Sequence, residues 1–198
     1  MTNPVPLQCG GYYHIYSRGN NHAAVFFEER NYAYLLKLYA RHVAPVVDTF
    51  AYCLLGNHFH FLVRIKDAVD LTGFENLSGL PGQRVSNLLN AYAKAINQAY
   101  QRTGALFQRP FGRIAVNSDA YFLQLVAYIH QNPQKHGLVA DFRTWPYSSS
   151  QALLSNQPTR LTRNEVLEWF GGSGQFEAFH ARSIGGPDVV ALVPEDFD

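Results

Sequence analysis

Sulfur is scarce, with two cysteines and one methionine in 198 residues. Two thiols cannot build a disulfide framework, and a chain of this length buries enough surface to fold without one. Cys9 lies in a loop-like start and Cys53 in an apolar run, as free thiols in a reducing compartment would. Charge is also sparse: 16% of residues are charged and the formal net charge is +1, which taken whole argues against a nucleic acid or an anionic membrane as partner. No stretch approaches roughly 18 consecutive apolar residues. Met1–Gly10 lacks a basic region followed by an apolar core, so we expect neither a membrane span nor a secretory leader, and a cytoplasmic protein by default.

The most telling absence is local. Residues 76–118 contain no aspartate or glutamate, yet hold Arg84, Lys94, Arg102, Arg109 and Arg113. Residues 1–150 carry 13 Lys and Arg against 8 Asp and Glu, whereas 151–198 carry 3 against 7. Near-neutrality is therefore the sum of a +5 part and a −4 part. We divide the chain there, into a domain over 1–150 and an extension over 151–198, and expect the acidic extension to lie near the basic face.

Periodicity gives the elements. Tyr12–Ser17 is aromatic and β-branched and ends in the polar turn Arg18-Gly19-Asn20-Asn21. Between Glu28 and Val43, Tyr32, Leu35, Leu36, Tyr39 and Val43 recur at helical spacing. Val46–Leu55 and Phe59–Ile65 are strand-like runs joined by a turn containing Gly56 and Asn57. Asp67–Gln83 reads as a loop and Arg84–Arg102 as a second amphipathic helix. A short strand over Arg113–Asn117 precedes a helix capped by Ser118 and halted near Asn132 by Pro133. The order β, α, β, β, α, β, α suits an α+β fold: a ferredoxin-like (split βαβ) antiparallel sheet with two helices on one face. Beyond it, Gln151–Leu161 is irregular, Thr162–Phe170 reads as a capped helix, Gly171–Gly174 as a break, the Phe176–His180 stretch as one more short helix, and Gly185–Asp198 as an acidic tail.

Two sets of residues carry chemistry. In His58-Phe59-His60 the imidazoles share one face of a strand, a natural chelate for a divalent cation. In Tyr128-Ile129-His130-Gln131-Asn132-Pro133, Tyr128 and Asn132 stand one helical turn apart, so a phenol and an amide share a face.

With three further blocks, Ser17-Arg18-Gly19-Asn20-Asn21, Arg102-Thr103-Gly104-Ala105-Leu106-Phe107-Gln108-Arg109 and Trp145-Pro146-Tyr147-Ser148-Ser149, the chain resembles the single-tyrosine HUH transposases, and among them the REP-associated tyrosine transposases, over roughly residues 10 to 150. The resemblance implies that His58, His60 and Asn132 hold Mg²⁺ or Mn²⁺, with Gln131 the alternative third ligand. It makes Tyr128 a nucleophile that forms a 5′-phosphotyrosine, in a metal-dependent single-stranded DNA endonuclease and strand transferase acting near hairpins. A phosphodiesterase that uses water, and a domesticated hairpin-binding protein without strand transfer, are the alternatives. Relatives act as monomers or homodimers. The sequence departs from the family at Leu55-Gly56, where Gly56 is expected to loosen the turn that presents the histidines, and at His130. Expected DNA contacts are Arg18 and Asn20 in the first turn, then Arg84, Arg102, Arg109 and Arg113, with Tyr92, Tyr100, Phe107 and Phe111 as candidate stacking surfaces.

Overall fold

A computed structural model describes residues 5–71 and 80–182. The elements are β1 (Tyr12–Arg18), α1 (Glu29–His42), β2 (Val47–Leu55), β3 (His58–Ile65), α2 (Leu80–Ala99), β4 (Gly112–Val116), α3 (Asp119–Lys135), α4 (Ser150–Leu154), α5 (Arg163–Phe170) and α6 (Ser173–Ala181). The sheet order is β2-β3-β1-β4, and every neighbouring pair is antiparallel. This is the α+β, split βαβ arrangement expected from the order of elements.

Both faces of the sheet are covered: one face of the central strands is apolar throughout, and the other joins apolar Leu62 to the buried polar His14, His58 and His60. Tyr13, Ile15, Phe59, Phe61 and Val63 pack with α1 and α2 residues such as Leu35, Tyr39, Leu88 and Tyr92. The two expected helices thus share one face. Leu62, Phe50, Ala51 and Cys53 pack on the opposite face with Phe122, Leu125 and Val126 of α3. A register shift between Thr49 and Ala51 breaks the alternation of β2 and lets Phe50 and Ala51 both reach that second core. Helix α3 therefore forms a third layer, which a scheme with helices on one face alone does not contain.

The extension belongs to this third layer. Leu153, Val166, Phe170 and Phe176 are buried in the same core as α3. Gln151–Leu161, expected to be irregular, begins inside a short helix, and Gly171–Gly174 is no break: Gly171 and Gly172 end α5 and cap α6, which starts at Ser173. The described part, 151–182, holds three arginines and three glutamates, so it is neutral. It packs on the face opposite α1 and α2. The acidic stretch Gly185–Asp198, which carries the extension's net negative charge, lies outside the described residues, and with it the expectation that the acid lies near the basic face; so do residues 72–79 of the expected loop 67–83.

Three boundaries differ from the periodicity for local reasons. Pro133 sits inside α3 and does not end it; proline removes one backbone donor, and the helix runs on to Lys135, where His136 N–H donates to the Asn132 carbonyl at 2.9 Å. Helix α2 starts at Leu80, with Pro81 in its first turn, where a missing N–H costs nothing. Arg18 closes β1 instead of opening a turn, since it pairs with His58.

The Trp145–Ser149 block explains itself as edge protection. Leu54 N–H donates to the Tyr147 carbonyl and Ser149 N–H to the Tyr52 carbonyl, both at 2.9 Å, so the segment pairs along β2. Trp145 Nε1 donates to the Leu54 carbonyl, and Tyr147 stacks on Tyr32 with ring centroids 3.7 Å apart.

A buried chain of hydrogen bonds ties α6 to α3 and the sheet. His180 Nδ1 must donate to the Phe176 carbonyl (2.8 Å), which leaves its Nε2 to accept from His130 Nδ1 (2.8 Å). His130 Nε2 then accepts from Ser149 Oγ (2.8 Å), which itself accepts from Tyr52 N–H (2.8 Å). Every step needs neutral imidazoles, and burial holds His180 down at a pKa of about 4. In the unfolded chain it titrates near 6.5. Above that pH neither state takes up the proton and the contribution is intact. Between about 6.5 and 4 only the unfolded chain does, so stability falls with pH by up to about 3 kcal/mol from this residue. Denaturant unfolding across this range should show the decline, and His180→Phe should show a shallower one. An equally steep decline in the variant would remove His180 as its origin.

Candidate functional site

The pairing of β1 with β3 sets Tyr16 opposite His60 and Arg18 opposite His58. With the two-residue period of strands, His14, Tyr16 and Arg18 share the α3 side of the sheet with His58 and His60. The side chains make one cluster. His14 Nε2 and His60 Nδ1 are 2.8 Å apart in a hydrogen bond. The rings of His58 and His60 lie 5.0 Å apart and nearly perpendicular.

Helix α3 closes the cluster from above. The Tyr128 ring stands edge-on to His60 with centroids 5.8 Å apart, and the His136 ring lies 5.1 Å from that of His58. Lys135 Nζ sits 5.3 Å from the centre of the Tyr128 ring. One turn beyond Tyr128, Asn132 Nδ2 donates to the Tyr128 carbonyl at 3.1 Å. Gln131, the alternative amide, points the other way and donates to the His180 carbonyl of α6 at 2.6 Å. His14, His60 and Asn132 are 0% exposed and Tyr128 is 4% exposed.

The turn that presents the histidines is firm. The Gly56 carbonyl accepts from Val25 and Phe26 N–H at 3.0 and 3.1 Å, and the Asn57 carbonyl accepts from Gly19 N–H at 2.8 Å. Gly56 therefore does not loosen it. Gly19 allows this approach because a Cβ there would fall 1.9 Å from the Ala23 carbonyl oxygen. The 102–109 block joins the same corner: Gln108 N–H donates to the Arg18 carbonyl and Asn20 N–H to the Leu106 carbonyl. Three sequence blocks that looked separate thus meet at one end of the β1–β3 pair. On the other side of the cluster Gly112 faces Tyr16, and a Cβ there would overlap the phenol ring.

Electrostatically the cluster is built to stay neutral. Burial pushes His14 down to about 3. Burial first, then the neighbouring His14, His58, His136 and Arg18, hold His60 well below its ordinary value. Neutral imidazoles keep lone pairs for a cation. His58 Nδ1 donates to Asn57 Oδ1 at 2.6 Å, which leaves Nε2 as the basic nitrogen, the usual outer-shell arrangement of a metal-binding histidine.

Three buried polar atoms of the cluster, His14 Nδ1, His60 Nε2 and Asn132 Oδ1, make no hydrogen bond. Such atoms are rare in folded proteins and cost about 1–3 kcal/mol each. Among the described residues no group of three His, Cys, Asp or Glu side chains is placed to hold a metal ion. A divalent cation held by two of these imidazoles would need an amide oxygen as its third protein donor. His60 Nε2 and Asn132 Oδ1 fit that requirement, and the mixed nitrogen and oxygen set suits Mn²⁺ as well as Mg²⁺.

The expected DNA contacts divide. Arg18 is buried within the histidine cluster, and Asn20 is exposed in the turn beside it. Arg84 lies half-exposed on α2. Arg102 stacks over Phe27 at 5.4 Å on the far side of the loop. Arg109 and Arg113 line a groove against α2, on the sheet face opposite Tyr128. Of the candidate stacking aromatics, Tyr92, Phe107 and Phe111 are buried in the α1–α2 core, which removes them as platforms; Tyr100 is half-buried. The exposed ring there is Phe27, stacked on Tyr100 with centroids 4.6 Å apart. Sequence reasoning also missed His14, Tyr16, Lys135 and His136. The alternation His14, Tyr16, Arg18 was the available signal for the first two, and helical spacing from Tyr128 and Asn132 for the others.

No family model matches the chain. A curated Haemophilus influenzae protein assigned to the REP-associated tyrosine transposases is 26% identical over 111 residues, covering 52% of this chain and 58% of the relative. The chain thus spans little more than half the length of that relative. Among solved structures, a REP-associated tyrosine transposase bound to a REP hairpin superposes with a TM-score of 0.61 at 17% identity, covering 80% of this chain and 88% of the other, which shows a common fold. Among the described residues no helix is long and apolar enough to cross a membrane. Both comparisons are with REP-associated tyrosine transposases: the chain is similar to one of them in sequence over about half its length and to the other in fold over four fifths of it.

Proposed function

We propose that the chain is a transposase-type single-stranded DNA nuclease that cuts and rejoins strands beside hairpins through Tyr128. The observation that carries this reading is the cluster of unbonded buried polar atoms, His14 Nδ1, His60 Nε2 and Asn132 Oδ1, beside a tyrosine ring and a buried arginine. The relative's assignment and the hairpin bound to the structural neighbour support the choice of DNA as substrate.

In this reading the Tyr128 hydroxyl oxygen attacks the scissile phosphorus. A bond forms between the phenol oxygen and phosphorus, the bond from phosphorus to the 3′ oxygen breaks, and the phenol's proton is matched by the one gained at the released 3′-OH. The 5′-phosphotyrosine conserves the ester, so a second 3′-OH can reverse the step and join a new strand. Held by His58, His60 and Asn132, Mg²⁺ or Mn²⁺ would supply charge withdrawal at the phosphate.

The chain's own residues do the remaining work. Arg18, buried across from His58 in the strand register, would contribute a positive charge to the phosphate's surroundings. Lys135 puts positive charge against the Tyr128 ring, which favours the phenolate that attacks and that leaves again in the reverse step. Lys135 also lines a cleft of about 690 Å³ between α3 and α6, so it borders both the tyrosine and open solvent. Tyr128 is nearly covered, and the residues over the cluster, Lys135 and His136, are the end of α3.

Single-stranded hairpin oligonucleotides from DNA flanking the gene, incubated with Mg²⁺ or Mn²⁺, should yield a covalent adduct resolved on a denaturing gel. Tyr128→Phe should abolish the adduct while leaving hairpin binding within about twofold. Multiple-turnover hydrolysis without adduct would establish the water-using phosphodiesterase instead, and binding with neither product the domesticated binder.

Metal binding is read separately, by Mn²⁺ titration followed by electron paramagnetic resonance. His60→Ala and Asn132→Ala should each weaken Mn²⁺ binding about tenfold or more, within the range seen when metal-site residues are lost, and Gln131→Ala should not. Equal loss in Gln131→Ala and none in Asn132→Ala would exchange their roles.

A further inference from the structure

The acid-free segment folds into something more specific than a basic surface. Between α2 and residues 104–113 runs a groove of about 660 Å³, on the sheet face opposite Tyr128. Among the described residues no carboxylate lines it. Lys94, Arg109 and Arg113 stand around an apolar floor that includes half-buried Ala93 and exposed Ala105. Arg109 Nη2 bonds Asn90 Oδ1 at 2.8 Å across it, and Arg113 lies over the Phe111 ring at 4.8 Å.

Two polar atoms in the groove are buried and make no hydrogen bond, Asn97 Oδ1 and Arg113 Nε. Asn97 Nδ2 is held by the Gly104 carbonyl at 2.9 Å, which fixes its oxygen as a free acceptor. The groove therefore offers flat apolar surface, an amide acceptor and three cations. That combination matches one chemical class: a planar heteroaromatic base carrying a phosphate.

The groove is also connected to the proposed catalytic face. Its wall is the segment whose Gln108 N–H bonds the Arg18 carbonyl, and Phe107 bridges to Gly19. A strand that leaves the histidine cluster past Arg18 turns the Gly19 corner and meets the groove.

We propose that this groove is a second DNA site, which takes one unpaired nucleotide of the strand, its base on the Ala93 and Ala105 surface against Asn97 and its phosphates on Lys94 and Arg113. The proposal rests on the single-stranded DNA reading above and extends it to a position outside the cleavage centre. It also gives the absence of acid over 76–118 a physical reason: a carboxylate anywhere on these walls would repel the phosphate and compete for the cations.

The test uses the full chain and a fluorescent hairpin with a short single-stranded arm, with binding followed by anisotropy at several salt concentrations. Two variants separate the features, Ala93→Phe filling the floor and Lys94→Ala removing one cation, each checked for a wild-type melting curve. Ala93→Phe should weaken binding about tenfold without changing the salt slope. Lys94→Ala should lower that slope by about 0.7, the value for one single-strand phosphate contact. An abasic site stepped along the arm should reproduce the Ala93→Phe loss at one position, and combining the two should add nothing. Folded variants that bind with wild-type affinity and slope, while the adduct still forms, overturn the groove and leave the strand-transfer reading standing. Wild-type binding that depends on Ala93 and Lys94, without a Tyr128-dependent adduct, overturns strand transfer and leaves the groove.

Discussion

The antiparallel register of β1 against β3 is the constraint on which the rest of the structure depends. It sets Arg18 across from His58 and Tyr16 across from His60, and one further pleat brings His14 into hydrogen-bond contact with His60. A slip of one residue would turn His58 and His60 into the α1–α2 core and expose Phe59 and Phe61 to the other face. The apolar alternation on both strands makes that slip costly, since Phe59, Phe61 and Val63 all exchange a packed environment for a polar one. Hydrophobic burial on one face thereby fixes polar geometry on the other.

Helix α3 has to lie across this polar face, and its own apolar stripe is not enough to specify how. The extension adds the missing contacts. Val166, Phe170 and Phe176 complete the core beneath α3, and the His180–His130–Ser149 chain ties its buried side to α6 and β2. The two faces of α3 are thus treated differently. Toward α6 every imidazole nitrogen is matched, whereas toward the sheet the polar atoms His60 Nε2 and Asn132 Oδ1 are not. A fully paired network holds the helix in place so that an unpaired one can be kept on its other side, which is how a protein sustains a costly binding site.

Much of this was legible from residue patterns. The strand and helix periods place His58 with His60 and Tyr128 with Asn132 correctly, because those relations are local. The partners that arrive from elsewhere were not legible. His14 and Tyr16 look like any aromatic strand until the register sets them against His60. His130 reads as a departure from family pattern until α6 supplies His180. Pro133 signals a helix end by its lost donor, yet tertiary contacts carry the helix to Lys135. The same applies to Trp145–Ser149, whose letters suggest function and whose backbone bonds show that it seals the edge of β2.

The distribution of charge now has a spatial meaning. A net charge of +1 conceals cations that stand on both sides of the sheet, Arg18 and Lys135 near Tyr128, Lys94, Arg109 and Arg113 beyond α2. Nothing in a hydrophobic core demands that arrangement, and packing cations without carboxylates raises the electrostatic energy of the fold. Arg113 shows the strain, since burial lowers its affinity for the proton. The described part of the extension is neutral and packs away from the α2 groove, so it does not compensate. On the proposed reading, a phosphodiester strand turning at Gly19 would bring negative charge to both faces.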